Sequence, residues 1–235
     1  MTNAASETGG RTKRALVTGV SSGIGEAIAQ RLLAEGWAVV GLSRSKPAIA
    51  ADGLTHRPVD LSDREALAAA LAGMGPLDAV VHAAGILRVG RLGELDPENG
   101  REMWRLHVDV AEQIVEALVP SLPDGARIVL LGSRTAMGSP GRAQYAATKA
   151  AVVGMARSFA IELASRQITV NVVAPGATDT PMLRDPRRAS VTPKMPPMGR
   201  LVKPEEIAAT TAFLLSEGAA SITGQQIVVC GGASL

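Results

Sequence analysis

The chain's only tyrosine, Tyr145, stands four residues before Lys149, one of five lysines, in the stretch SPGRAQYAATKAAVVG. Residues i and i+4 lie on one face of a helix, so this spacing sets an ammonium beside a phenol. A unit charge at about 4 Å and an effective dielectric of about 20 is worth roughly 4 kcal/mol, or nearly three pKa units. A phenol with an ordinary value near 10 is thereby drawn toward 7, where it passes a proton in either direction. The alanines at 146, 147, 150 and 151 leave room beside the pair for a cofactor. A tyrosine that only packs is the competing reading.

A second chemical element is the turn TGVSSGIGE, Thr18 to Glu26. Glycines at 19, 23 and 25 permit a tight turn and a close backbone approach, and a helix N-terminus behind them offers free N–H groups to a pyrophosphate. The spacing is not G-x-G-x-x-G, because Ile28 stands at the last glycine position, and no Gly-Lys-Ser/Thr follows to make a P-loop. A dinucleotide held there puts its adenosine ribose beyond the next strand, where an acid suits a 2′-hydroxyl and an arginine a 2′-phosphate. This chain offers Ser43 and Arg44 and no acid, so NADP(H) is expected over NAD(H). Asp60 either accepts from the adenine amino group or caps the following turn. Ser133 falls at a strand end, where its hydroxyl can hold a substrate carbonyl beside the phenol; Ser139 is its rival on the next loop. No nucleophile elbow G-x-S-x-G appears.

The elements that must position these groups alternate. Short apolar runs at Arg14–Gly19, Ala38–Leu42, Leu54–Asp60, Asp78–Gly85, Ala126–Ser133, Ile168–Gly176 and Gln225–Gly232 read as strands. Helices are expected from Gly25 to Glu35, after a capping box of Ser62 with Glu65, from Arg101 to Val119, from Ala143 to Arg166, and from Pro204. Near-continuous apolar strands alternating with helices imply a parallel sheet covered on both faces. The irregular stretch from Pro175 to Gly199 carries six of fourteen prolines and three of eight methionines; a loop of that size in a compact domain is usually functional.

Composition narrows the classes. The 235 residues are 46% hydrophobic, 20% charged and 2% aromatic, so the core is aliphatic and ample. A net charge of +2 with scattered arginines gives no nucleic-acid stripe. One cysteine, Cys230, excludes an internal disulfide and a Cys metal cluster, and no metal site is expected; Cys230 reads as packing. The polar start, MTNAASETGGRTKR, lacks a signal-peptide core, and no apolar run reaches the roughly 18 residues of a membrane span. The expectation is a cytoplasmic protein with no membrane and no nucleic-acid partner. Residues 1–12 are expected to be a disordered lead-in, and residues 13–235 one Rossmann-type domain with a substrate loop at about 177–200.

Taken together, TGVSSGIG, Asp60, HAAGI, Ser133, YAATK, NVVAPGATDTPM and TGQQIVVCGG resemble the short-chain dehydrogenase/reductase family over nearly the whole chain. The resemblance implies a doubly wound Rossmann sheet of seven parallel strands with helices on both faces, a nicotinamide cofactor and hydride transfer to or from a ketone or 3-oxoacyl substrate. It implies Ser133 polarising the carbonyl, Tyr145 as acid/base, and Lys149 lowering the phenol pKa while holding the nicotinamide ribose. Cofactor contacts carried over are Gly19, Ser21, Ser22, Gly23, Ile24 and Gly25 in the turn, Ser43 and Arg44, Asp60 and Leu61, and Ala83, Ala84 and Gly85. Pro175, Gly176, Thr178, Thr180 and Met182 complete them around the carboxamide. Pairing through the long helices as a homotetramer or homodimer is implied as well. A non-catalytic NADP(H)-binding regulator is the alternative on the same fold. The chain departs from the family in having His82 and Ala83 for the asparagines of Asn-Asn-Ala-Gly. It also has His107 where a relay asparagine is usual, unless Asp109 takes that place. Arg184, Arg187 and Arg188 are read as solvated, with an anionic substrate as their other use.

Overall fold

The computed structural model describes residues 11–188, 190–191 and 194–235; residues 1–10 of the expected lead-in lie outside that set. Strands β1 (Arg14–Thr18), β2 (Ala38–Ser43), β3 (Leu54–Pro58), β4 (Ala79–His82), β5 (Arg127–Leu131), β6 (Thr169–Pro175) and β7 (Gln226–Val229) form one sheet in the order β3-β2-β1-β4-β5-β6-β7. Every neighbouring pair is parallel. The order runs outward from β1 in both directions, which is the doubly wound arrangement.

Alternation along each strand sends side chains to two separate cores. Leu16, Val80, Ile128 and Val170 pack on one face against Leu67, Ile114 and Val152. Those partners come from α2 (Arg64–Leu71), α4 (Val110–Leu118) and α5 (Ala143–Leu163). Val17, Val81, Val129 and Val173 pack on the other face against Ile28, Leu32, Ile207 and Leu214. Those belong to α1 (Gly23–Ala34) and α6 (Pro204–Leu214). With both faces covered, all five residues of β5 are buried, and each large aliphatic side chain so removed from water contributes about 1.5–3 kcal/mol.

Two expectations change in detail. The second helix is capped by Asp63, whose carboxylate accepts from the Glu65 and Ala66 N–H groups at 3.0 Å each. Ser62 is therefore not the cap: its own N–H is bonded to the Asp60 carboxylate, which closes the preceding turn and moves the helix start one residue on. The helix expected from Arg101 begins earlier, as α3 (Pro97–Trp104) behind an Asp96 cap. It then widens into a π turn over Arg105–Asp109 before α4. Such turns occur mostly as single insertions at functional sites, and this one lies beside the β4 loop. Among the described residues no helix is long and apolar enough to cross a membrane.

Replacing a carboxylate cap costs about 1 kcal/mol of stability. Asp63→Ala is expected to lower unfolding free energy by that amount in urea titrations, while Ser62→Ala changes it by less than about 0.5 kcal/mol; the reverse ranking would contradict the assigned helix start.

Candidate active site

Because all seven strands run the same way, the loops after their carboxyl ends meet at one edge of the sheet. A cavity of about 630 Å³ opens there. It is lined by Ile24 after β1, Ala83 and Gly85 after β4, Ser133 after β5, and Tyr145 and Lys149 on α5. Pro175, Gly176, Thr178, Thr180 and Met182 after β6 close it. The residues chosen for chemistry and those chosen for the carboxamide end of a dinucleotide thus share one space.

The β1 turn has the backbone a dinucleotide needs. Gly19 sits at φ +74°, and a Cβ there would lie 2.9 Å from the Ala84 Cα. A Cβ on Gly25 would strike the Gly19 carbonyl, so turn and helix touch backbone to backbone. Ser22 occupies the N-cap of α1 in extended conformation with no side-chain capping bond. The first N–H groups of the helix, flanked by Ser21 and Gly23, therefore remain as donors aligned with the helix dipole. These residues fit a pyrophosphate.

At the end of β2, Arg44 is exposed and makes no ion pair or side-chain hydrogen bond among the described residues. Ser43 is turned inward, 5% exposed; its hydroxyl donates to the Ser45 carbonyl at 2.8 Å and lies 3.0 Å from His56 Nε2. Leu61 is buried. Asp60 accepts from Ser62 N–H through Oδ1 at 2.9 Å, so it does cap its turn, with Oδ2 left over.

Tyr145 and Lys149 occupy the start of a single helix face. Further along α5 that face buries Val152, Ala156, Ala160 and Leu163, which seats both polar groups against the sheet. Tyr145 is 8% exposed and Lys149 4%. The ammonium Nζ lies 5.8 Å from the centre of the phenol ring and donates to the Leu131 carbonyl at 2.8 Å. Burial brings Lys149 down to about 7. Burial pushes the Tyr145 phenol up, opposed by a hydrogen bond with Ser133 and by the Arg188 and Arg142 charges. This differs from the phenol drawn toward 7: the cost of burying a phenolate outweighs the hydrogen bond and the charges that favour it. The Ser133 hydroxyl accepts from Thr135 N–H at 3.1 Å, leaving its proton to face the phenol, while Ser139 lines the cavity further along the loop.

Two histidines, His82 at the end of β4 and His107 on the π turn, are buried beside this pair. His82 Nε2 donates to the Leu106 carbonyl at 3.0 Å, since a carbonyl only accepts. Its Nδ1 then accepts from the Thr18 hydroxyl at 3.0 Å. That hydroxyl oxygen takes the N–H groups of Ala83 and Ala84. One imidazole so joins β1, β4 and the π turn. His107 is fully buried. Its Nε2 accepts from Ile86 N–H at 3.1 Å, and its Nδ1 donates at 2.9 Å to Thr148 Oγ1, which passes a bond to the Tyr145 carbonyl. Its ring stands edge-on to Tyr145 at 5.6 Å. Asp109 is exposed, so His107 is the residue that faces inward. Burial, with Lys149 close by, holds both imidazoles neutral, His82 at about 4 and His107 well below its ordinary value.

The arginines divide. Arg184 and Arg187 are exposed and paired with Asp179 and Asp185. Arg188, expected in solvent, is only 8% exposed and lines the cavity with Arg142; the turn Pro186–Arg188 folds it inward, where its Nη1 donates to the Met182 carbonyl at 2.7 Å. Arg142 had a readable signal, since it stands three residues before Tyr145, at the N-cap of α5. Arg188 had none, because its direction is set by a loop. Cys230 is buried against Gly176, where a Cβ would come within 2.8 Å of it.

A strand-edge cavity that brings a glycine turn fitting a pyrophosphate together with Ser133, Tyr145 and Lys149 fits a nicotinamide-dependent oxidoreductase. Residues 19–234 match the family model described as Enoyl-(Acyl carrier protein) reductase. The chain is 38% identical over 236 residues to the 3-oxoacyl-[acyl-carrier-protein] reductase FabG of Escherichia coli, covering 94% of this chain and 96% of that protein. A short chain dehydrogenase family protein from Francisella tularensis superposes with TM-score 0.88 at 29% identity, over 95% of this chain and 99% of that one. The 3-ketoacyl-(acyl-carrier-protein) reductase from Brucella melitensis, solved with NADH, superposes with TM-score 0.83 at 32% identity, over 95% and 98%. The chain belongs to the short-chain dehydrogenase/reductase family and is an oxidoreductase.

The depressed value of His82 has a stability consequence. Between its unfolded value of 6.5 and its folded value of about 4, the unfolded chain binds the extra proton, so stability is full above 6.5 and is lost as pH falls through 4. The interval corresponds to roughly 3 kcal/mol. His82→Asn, which keeps one donor and one acceptor without titrating, is expected to flatten the acid limb of a Tm-versus-pH curve by roughly 6–12 °C. An unchanged limb would remove His82 as the acid-sensitive group.

Proposed function

We propose that the enzyme is an NADP(H)-dependent ketoreductase acting on a small carbonyl or 3-oxoacyl substrate and its secondary alcohol. The observation that carries this reading is that Ser133, Tyr145 and Lys149 line the same cavity as Ile24, Gly85 and Thr180. The nicotinamide, when bound, supplies hydride to the carbonyl carbon or takes it from the alcohol. The protein's groups handle the oxygen. Ser133 donates its free hydroxyl proton in a hydrogen bond to the carbonyl oxygen and stabilises charge as it develops there. Tyr145, kept protonated by burial, gives its proton to that oxygen; in the reverse direction it takes one back. Lys149, at about 7, changes charge within reach of the phenol and so eases both directions at neutral pH.

In this proposal His107 is a positioning residue, because its Nε2 lone pair is occupied by Ile86 and its Nδ1 proton by Thr148. Gly19 to Gly25 hold the pyrophosphate, Asp60 and Leu61 flank the adenine, and the loop after β6 covers the nicotinamide and substrate. Arg44 supports the 2′-phosphate, since it is an exposed cation without a partner among the described residues at the end of β2. The Brucella relative was solved with NADH, so the phosphate preference rests on this side chain. Pairing as a dimer or tetramer through α4 and α5 is part of the same reading.

Tyr145→Phe is expected to reduce kcat for ketone reduction by at least about 10²-fold, followed as NADPH absorbance; a fully active variant would falsify the assignment. Arg44→Ala is expected to lower the NADPH-over-NADH ratio of kcat/KM by about 10–100-fold, the worth of one charge-assisted hydrogen bond. A ratio that stays put would leave the phosphate preference without its cause.

A further inference from the structure

We propose that Arg142 and Arg188 form an anion subsite that takes the carboxylate of a short oxo acid, or of its hydroxy acid, while the carbonyl lies at Tyr145. The inference rests on the ketoreductase reading above and names the substrate class that reading leaves open.

Both arginines line the cavity with Tyr145. Arg142 fills the N-cap position of α5, three residues before Tyr145, which sets it one turn away on the same face. Arg188 reaches in from the turn Pro186–Arg188, 8% exposed, anchored by one bond to the Met182 carbonyl. The Nε of each is buried and has no hydrogen-bond partner among the described residues. Buried donors without acceptors are rare and call for a cause. Two exposed arginines elsewhere on the chain do meet acids: Arg184 meets Asp179 and Arg200 meets Glu206. Asp185, the acid nearest Arg188 in sequence, is engaged by the Arg187 guanidinium through Nε and Nη2 and by its N–H. Among the described residues no acidic side chain lines the cavity, whereas Arg134 and Lys194 add to its positive charge. Burial lowers both guanidinium values; at Arg142 the Arg188 and Arg134 charges add to this, while at Arg188 the phenol and Asp185 act against it without a hydrogen bond to the guanidinium.

A guanidinium presents a planar fork that matches a carboxylate in two parallel bonds. One helical turn from the phenol, that carboxylate belongs to a molecule whose acid group is a few bonds from the reacting carbonyl. A neutral thioester or ester offers these donors one weak acceptor and leaves the charges unmatched.

The test compares pyruvate, acetoacetate and levulinate with their methyl esters, following NADPH oxidation by the full chain. The expected result is an acid whose kcat/KM exceeds that of its ester by at least about 30-fold, the size of a desolvated charge-assisted pair. Arg142→Met and Arg188→Met should each lower kcat/KM for that acid by about 10-fold or more, mostly through KM, while the ester values stay within about threefold. The retained ester activity shows that a variant is folded. If neither variant folds, the wild-type acid-to-ester ratio decides alone. Esters reduced as well as acids, or variants that depress both alike, would overturn the subsite while leaving the ketoreductase reading intact. If no compound is reduced, that reading falls, and calorimetric titration with acetoacetate judges the subsite: binding by wild type that Arg142→Met abolishes supports it, and no binding by wild type overturns it.

Discussion

A buried amine holds the site together and sets its chemistry. Lys149 leaves water almost completely, donates one hydrogen bond to the Leu131 carbonyl, and sits 5.8 Å from the phenol ring. Taking an ammonium out of water is costly, and the group responds by titrating near 7 instead of 10.5. The penalty for keeping it charged is absent above about 10.5 and complete below about 7. The fold tolerates this because the face that carries Lys149 continues as Val152, Ala156, Ala160 and Leu163. The apolar end of α5 anchors what the polar end would otherwise pull toward solvent. Burial also opposes ionisation of Tyr145, so the phenol is held protonated while the amine beside it titrates near neutrality.

The neighbouring histidines show how the same architecture is kept with different side chains. Both imidazole nitrogens are used at both positions. At His82 the Leu106 carbonyl fixes the proton on Nε2; at His107 the Ile86 N–H fixes it on Nδ1. Opposite tautomers follow from opposite partners. The π turn between α3 and α4 belongs to this arrangement, since it carries Leu106 and His107 together and so presents one carbonyl and one ring to the loop after β4. Removing one network member would leave a buried donor or acceptor unpaired, which costs more than the bond itself contributes.

The sheet, its seven strands and the pairing of Tyr145 with Lys149 were legible because they depend on local pattern: apolar runs, caps, and an i to i+4 spacing. The glycine turn was legible for the same reason, since a Cβ at Gly25 has nowhere to go. What escaped the sequence depends on contacts between distant segments. Asp63 displaces Ser62 as cap because the Asp60 carboxylate holds Ser62 N–H. The π turn cannot be read from an apolar period that an ordinary helix would fit equally well. The phenol moves opposite to expectation because spacing reveals the nearby charge but not the depth of burial. Arg188 turns inward for reasons written in the loop's path and not in its own neighbours.

Arg188, buried, and Arg142, half-buried, complete an electrostatic gradient along the sheet edge. One end presents the bare N–H groups of α1 and the exposed Arg44, all of which favour negative charge. The other end, with Arg142 and Arg188, carries positive charge at neutral pH. Between them lie a phenol kept protonated, two neutral imidazoles and an amine near its midpoint. A low-charge centre flanked by two anion-seeking ends orients ligands from their extremities and leaves the middle free to follow the proton. An amine fully charged at neutral pH would compete with the arginines for the same anion and draw it onto the catalytic centre. Its burial weakens that competition, because an ammonium taken out of water gives up its charge more readily.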